Sequence, residues 1–303
     1  VQTCALPIYT GARHVVTCSS GTDALSLVLM SKGVKPGDGI FCPSFTFCAT
    51  AEVVCRAGAM PVFVDVDEAT FNMSPASLES AIGDAKRLGL EPTGIIAVDL
   101  FGVPADYTSI NEIARKNGIW VLADAAQSFG ARSDGRRVGS LAASSATSFF
   151  PSKPLGCYGD GGAIFTDDDD LAQEILLRRV HGQTQDRQNS VRLGMTARLD
   201  SIQAAVLLEK LTLLNQELEE RQTVADYYAK ELCDICIVPN PAKNIRSAWA
   251  QYTVRIGGHW RDQVADYLKD RGIPTAVHYR RPLHRQTAYE KFPTPRGGLP
   301  VTD

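Results

Sequence analysis

The feature that most limits how this 303-residue chain can fold is a series of short apolar segments alternating with helical ones from residue 14 to residue 166. Segments 14–18, 40–42, 61–66, 94–102, 119–123, 146–150 and 163–166 are dominated by Val, Ile, Leu, Ala and Phe and lack the in–out polar alternation of a half-exposed sheet. Between them, segment 24–32 sets Leu25, Val28 and Leu29 on one helical face ahead of Gly33. Segment 46–56 closes at Gly58, a helix opens at Ser74 with Pro75 in its first turn, and segment 109–117 stops at Gly118. A strand that is apolar on both faces is buried on both. The pattern therefore predicts an α/β fold, a mostly parallel sheet flanked by helices. Such sheets bind ligands at the carboxyl ends of their strands, so residues just after a strand are the first candidates for function.

Beyond residue 166, a helix is expected over 168–180, acidic in its first turn and carrying Arg178 and Arg179 in its last. The helical stretch 199–230 is too long to serve only as a sheet cover. Segment 249–256 alternates like a half-exposed strand, 261–270 reads as a helix, and 273–279 as another strand. The expected organisation is a large α/β domain over 11–198, a linking helix over 199–231, and a smaller C-terminal α+β domain over 232–303. A composition of 44% hydrophobic residues supports a core of that size. Residues 1–10 show no clear period, the chain does not begin with Met, and 299–303 bring no closing element. It reads as a fragment, with 1–10 as a cloning or sequencing scar.

A net charge of −3 with no Lys/Arg block argues against nucleic acid and anionic membranes as partners. No apolar run approaches the roughly 18 residues of a membrane span, and no secretory signal is visible. Several of the eight cysteines fall inside apolar segments, as reduced thiols do in the cytoplasm. Cys233 and Cys236 form a single Cys-x-x-Cys. No second pair and no nearby histidine completes a metal set, so helix-end cysteines are the plainer reading and no metal site is expected.

Segment 148–162, Ser-Phe-Phe-Pro-Ser-Lys-Pro-Leu-Gly-Cys-Tyr-Gly-Asp-Gly-Gly, holds Lys153 between Pro151 and Pro154. The prolines deny it a regular helix, and the glycines permit sharp turns and close approach. Lys153 is either a loop-tip lysine with its head in water or a desolvated amine. Desolvation lowers a lysine's pKa, and a neutral amine can attack an aldehyde. Asp124 ends segment 119–123 and is either a helix cap or the partner of a buried cation. Gly21 and Thr22 open the first helix and form either a simple turn or a phosphate site on backbone N–H groups. Phe47 is either a core aromatic or a stacking face. Taken together at the strand ends of one sheet, these groups fit pyridoxal 5′-phosphate (PLP). The lysine would form a Schiff base, and the aspartate would keep the pyridine nitrogen protonated, so that the ring withdraws electrons.

Five ordered motifs carry a family resemblance. They are Ser-Ser-Gly-Thr-Asp-Ala-Leu at 19–25, Pro-Ser-Phe-Thr-Phe-Cys-Ala-Thr at 43–50, Asp-Ala-Ala-Gln-Ser-Phe-Gly at 124–130, Ser-Phe-Phe-Pro-Ser-Lys at 148–153, and Gly-Met-Thr-Ala-Arg-Leu-Asp-Ser-Ile-Gln-Ala-Ala at 194–205. With these the chain, from about Gly11 onward, resembles the DegT-type nucleotide-sugar aminotransferases, which have fold type I. The resemblance implies catalytic roles for Lys153 and Asp124. It further implies Gln127 near the phenolic oxygen of the cofactor, Ala126 under the ring, Phe47 stacked on it, and Gly21, Thr22 and Ser148 on the phosphate. It implies glutamate as amino donor, a keto-sugar nucleotide as acceptor, a homodimer whose partner contributes the motif at 194–200, and a place in polysaccharide or lipopolysaccharide biosynthesis. The Lys153 loop is most similar to members acting on UDP-3-keto-uronates. Arg198 is then the candidate for the substrate carboxylate, with a plain salt bridge as its alternative, and His278 is a second substrate candidate. Three other readings are a 4-keto-6-deoxy sugar aminotransferase, a sugar dehydratase of the same fold, and a PLP-binding regulator. The dehydratases carry His in place of the lysine, and a regulator needs a DNA-binding module that this chain lacks. Thr196 stands where many relatives have Asn.

Overall fold

A computed structural model describes residues 5–184 and 186–303. Residues 1–4, including Cys4, and Gln185 lie outside the described residues. A seven-stranded sheet organises the chain, in the spatial order β1 (His14–Cys18), β9 (Gly162–Thr166), β8 (Ser144–Ser148), β5 (Trp120–Asp124), β4 (Glu91–Val98), β2 (Asp38–Pro43), β3 (Met60–Val64). The pairs from β8 through β3 are parallel, and β9 runs antiparallel to both β8 and β1.

The apolar character of each strand has a direct structural counterpart. Phe41, Val62, Val64, Ile95, Ala97, Val121 and Ala123 enter one hydrophobic cluster, while Ile40, Phe63, Ile96 and Leu122 enter another. Successive strand residues point to opposite faces, and each face has its own helical cover. The helices α2 (Gly21–Ser31), α3 (Ala49–Arg56) and α6 (Asp169–Arg178) contribute to the second cluster. The first is covered by α4 (Pro75–Arg87), α5 (Tyr107–Asn117) and the 32-residue α7 (Ser201–Leu232). Side chains fix the helix starts: Ser20, Ser74, Asp106, Asp168 and Asp200 each accept a first-turn N–H. Along α7 only Leu207, Leu214, Leu218 and Ala225 are buried, a single narrow stripe on an otherwise wet helix.

Two expectations need correction. Residues 5–10, read as aperiodic, form the short helix α1 (Ala5–Thr10) with Leu6 wholly buried in the first cluster. One buried turn is too short to display a period. Neither 249–256 nor 273–279 is a strand. The former makes only an isolated antiparallel bridge between Ile237 and Arg255. An alternating sequence does not make a strand by itself, because a strand also needs a neighbouring backbone to answer its N–H and C=O groups. The strand found here is β10 (Ile245–Arg246). It pairs with β6 (Arg132–Ser133), which in turn pairs with β7 (Arg136–Arg137), making a small second sheet. Helix α8 (Trp260–Asp270) forms as expected but buries no residue.

The last stretch returns to the main sheet. Leu283 and Leu299 are buried in the second cluster, the Phe63 N–H donates to the Pro293 carbonyl, and Asp65 accepts the N–H groups of Val301 and Thr302. None of the helices among the described residues is long and apolar enough to cross a membrane.

Candidate active site

The strand ends surround a cavity of about 410 Å³. Its lining includes Gly21, Thr22, Phe47, Asp124, Ala126, Gln127, Ser148 and Lys153, so eight residues singled out from the sequence meet in one place.

Lys153 sits just beyond β8. The loop around it folds back on itself: the Lys153 N–H donates to the Phe150 carbonyl at 2.9 Å, and the Cys157 N–H to the Phe149 carbonyl at 2.8 Å. A Cβ on Gly156 would lie 2.6 Å from the Pro151 carbonyl oxygen, so only glycine permits this closure. The side chain is half-buried. Desolvation holds its pKa below the ordinary lysine value, while the negative charge of Asp124 opposes that shift. The wet loop-tip alternative therefore does not describe this lysine.

Asp124 is 7% exposed, and no helix follows it, which removes the cap reading. Burial raises its pKa. The Thr50 hydroxyl, donating to Oδ2 at 2.9 Å, the Ala126 N–H, donating to Oδ1 at 3.3 Å, and the Lys153 charge all act the other way. A buried carboxylate with only two donors among the described residues is suited to a cationic N–H across the cavity.

The third component is the start of α2. Ser20 caps the helix by accepting the Asp23 N–H. The N–H groups of Gly21 and Thr22 have no intrahelical acceptor, as in the first turn of any helix. A Cβ on Gly21 would stand 2.7 Å from the Ser148 Cβ, so glycine lets the helix end and the end of β8 close on one small anion. Phe47 is 57% exposed and faces the cavity, so it is not a core aromatic. The Gln127 amide oxygen accepts the Phe101 N–H at 2.7 Å, which directs its Nε2 hydrogens elsewhere, toward the cavity side and the Tyr279 hydroxyl at 3.4 Å.

Two candidates stand apart. Arg198 is exposed, does not line the cavity, and has no carboxylate partner among the described residues, so the salt-bridge alternative is not realised among them. His278 is exposed and also off the cavity lining; its neighbour Tyr279 is the residue that reaches Gln127 and packs edge-on against Phe45. Thr50 and Tyr279 were not found from the sequence. Thr50 lies within a recognised motif, but its partner is 74 residues away, and no local pattern marks such a contact. Among the described residues no group of three or more His, Cys, Asp or Glu could hold a metal ion.

The residues present fit PLP. Open first-turn N–H groups beside Ser148 suit its phosphate, Asp124 suits a protonated ring nitrogen, Phe47 and Ala126 offer faces to a flat ring, and Lys153 supplies a desolvated amine. A mostly parallel sheet bearing this arrangement at its strand ends defines a PLP-dependent enzyme of fold type I.

Comparison with known proteins narrows this further. The model of the DegT/DnrJ/EryC1/StrS aminotransferase family matches residues 4–303. A Pseudomonas aeruginosa protein named UDP-2-acetamido-2-deoxy-3-oxo-D-glucuronate aminotransferase is 48% identical over 97% of this chain and 80% of its own length. The crystal structure of a DegT DnrJ EryC1 StrS aminotransferase from Brucella abortus superposes with a TM-score of 0.96 at 48% identity, covering 98% of this chain and 79% of that one. NtdA from Bacillus subtilis, solved with bound cofactor PMP, has a TM-score of 0.84 at 29% identity, covering 93% of this chain and 64% of that one. The chain belongs to the DegT/DnrJ/EryC1/StrS aminotransferase family. It is an aminotransferase, and its cofactor is pyridoxal 5′-phosphate.

Proposed function

We propose that this protein transfers an amino group from glutamate to the keto carbon of a nucleotide sugar, a UDP-linked 3-keto-uronate. The observation that carries the transamination is the pairing of Lys153 and Asp124 in one cavity, each shifted by burial and each opposing the other's shift. The acceptor class rests on the Lys153 loop and on the name borne by the Pseudomonas relative.

When bound, PLP supplies a carbonyl that takes up the amino group and a ring that withdraws electrons from the reacting carbon. The open N–H groups of Gly21 and Thr22, with Ser148, would hold its phosphate. Asp124, ionised, would favour a proton on the ring nitrogen. Phe47 and Ala126 would offer faces to the ring, and Gln127 would donate from Nε2 to the phenolic oxygen. Lys153 would bind the cofactor through its amine, and as a desolvated amine of lowered pKa it would move the proton at the reacting carbon.

The proposal includes a homodimer in the cytoplasm, in polysaccharide or lipopolysaccharide biosynthesis, with the motif at 194–200 completing the partner's site. Arg198 binds the uronate carboxylate from across that interface, and His278 adds a substrate contact. The exposure of Arg198 and its lack of a carboxylate partner among the described residues support this reading. The division into 11–198, 199–231 and 232–303 is part of the same proposal. Incubation with glutamate and a panel of keto-sugar nucleotides, read by mass spectrometry, tests it. Amination of the 3-keto-uronate is the expected outcome. Preference for a 4-keto-6-deoxy sugar would overturn the acceptor assignment and leave the transamination standing.

A further inference from the structure

Asp99 is a carboxylate with no exposed surface, and nothing in the chemistry above uses it. It follows β4 directly, next to Asp124 at the end of β5, and its own N–H donates to the Asp124 carbonyl at 3.0 Å. Three donors converge on its side chain. Oδ1 accepts the Ala105 N–H at 2.9 Å and the Tyr107 hydroxyl at 2.7 Å, and Oδ2 accepts the Ser128 hydroxyl at 2.6 Å. Ser128 adjoins Gln127 in sequence. Asp99 therefore ties together two segments, the turn 100–105 and the strand extension 124–128.

The turn matters because of one backbone group. Phe101 adopts a left-handed φ of 58°, unusual for a residue with a side chain, and in that conformation its N–H meets the Gln127 amide oxygen at 2.7 Å. A backbone N–H accepts nothing, so the amide must present oxygen there and hydrogens on its other side. Asn72 closes the turn from behind, accepting the Leu100 N–H and donating to the Val103 carbonyl, both at 2.9 Å. The orientation of a side chain that lines the cofactor cavity is thus set by a turn whose far end is held by a buried carboxylate.

We propose that Asp99 is a positioning residue for the transamination site, holding the Phe101 turn against the Asp124–Ser128 segment so that Gln127 keeps its Nε2 hydrogens toward the cofactor. The proposal rests on the reading of the cavity as a PLP site. A donor at the phenolic oxygen favours the deprotonated form of the bound chromophore, so its loss raises the pH midpoint of the visible absorption band.

The test is a double-mutant cycle on the PLP-loaded protein with Asp99→Ala, Gln127→Ala and the combination, read by spectroscopic pH titration and by the PLP dissociation constant. Gln127→Ala is expected to raise the midpoint by about half to one pH unit, the equivalent of one hydrogen bond. Asp99→Ala is expected to shift it in the same direction, and the combination no further than Gln127→Ala alone. Asp99→Asn keeps an acceptor for Ala105 and Tyr107 and is expected to recover most of the wild-type midpoint. If Asp99→Ala does not fold, Tyr107→Phe and Ser128→Ala each remove one tie and carry the same comparison. An unchanged midpoint with only a lower melting temperature makes Asp99 structural and overturns the proposal, as does a shift that adds fully to that of Gln127→Ala. A wild-type protein with no visible band overturns the cofactor reading of the cavity, and this inference falls with it.

Discussion

Replacing Thr50 with valine isolates the contribution of one hydrogen bond to a buried carboxylate. Valine has nearly the shape of threonine, so at the fully buried Thr50 the substitution removes the hydroxyl and its hydrogen bond rather than opening a cavity. What is lost is the 2.9 Å bond from the Thr50 hydroxyl to Asp124 Oδ2, leaving the Ala126 N–H at 3.3 Å as the one remaining donor among the described residues. A hydrogen bond to a charged group contributes about 1.5–3 kcal/mol, and one to a neutral group about 0.5–1.5 kcal/mol. The substitution therefore costs about 1–1.5 kcal/mol more when Asp124 is ionised than when it is protonated. In pKa terms that is a further upward shift of about one unit.

The sign follows from the burial of Asp124. Its folded pKa already lies above its unfolded one, so the folded protein holds this proton more tightly. The stability contributed by the group is present below the unfolded value and is lost as pH rises through the folded value. Thr50→Val moves the folded value higher and extends that loss. Urea unfolding of the cofactor-free protein, wild type and variant side by side from about pH 4 to 8, should show a gap that widens with pH and then levels off. Other carboxylates titrate equally in both proteins and cancel. Two stability curves that run parallel across the whole range would refute the assignment of the Thr50 bond to an ionised Asp124.

Borohydride treatment of the PLP-loaded protein should fix the cofactor on Lys153, and peptide mapping that finds it on another lysine would return Lys153 to an ordinary role. Asp124→Asn should lower transamination by several orders of magnitude while weakening PLP binding less, because the phosphate contacts remain; near-normal turnover would contradict its pairing with the ring nitrogen. Gly21→Ala brings a Cβ to 2.7 Å from the Ser148 Cβ, so the helix end must move, with some loss of melting temperature in the cofactor-free protein, and PLP affinity should fall; unchanged affinity would disprove the phosphate cradle. Arg198→Gln should raise KM for the uronate by about one to two orders of magnitude, the equivalent of one charge-assisted contact, and leave the glutamate half-reaction nearly intact; equal loss in both half-reactions would make Arg198 structural.

The sheet was legible because its strands are buried on both faces, and that burial leaves a compositional mark no surface segment shares. Ile95 and Ile96, or Val121 and Leu122, are neighbours in sequence that enter different cores, and this is why the pattern runs apolar without a break. The C-terminal part carried no comparable mark. Segment 249–256 alternates in residue type although all eight residues are half-buried, and pairing depends on a second backbone that no single segment encodes. The same limit applied at the site. Lys153, Asp124, Gly21 and Phe47 announced themselves through proline, glycine or position after a strand, all of them local signals. Thr50 and Asp99 act across the sheet, through partners 74 and 29 residues away, and a buried Thr or Asp looks locally like any other.

That division has a physical cause. Groups that meet the cofactor must project from strand ends into open space, which demands special backbone and unusual residues. Groups that hold those side chains in place are enclosed by the surrounding protein, and ordinary residue types suffice, although Phe101 takes a left-handed φ to do so. Lys153 needs two prolines and a glycine turn, whereas Thr50 needs only a helix face that happens to cross Asp124. The supporting groups are nonetheless the ones that oppose the effect of burial on Asp124 and fix the direction of the Gln127 amide, two properties on which the proposed chemistry depends.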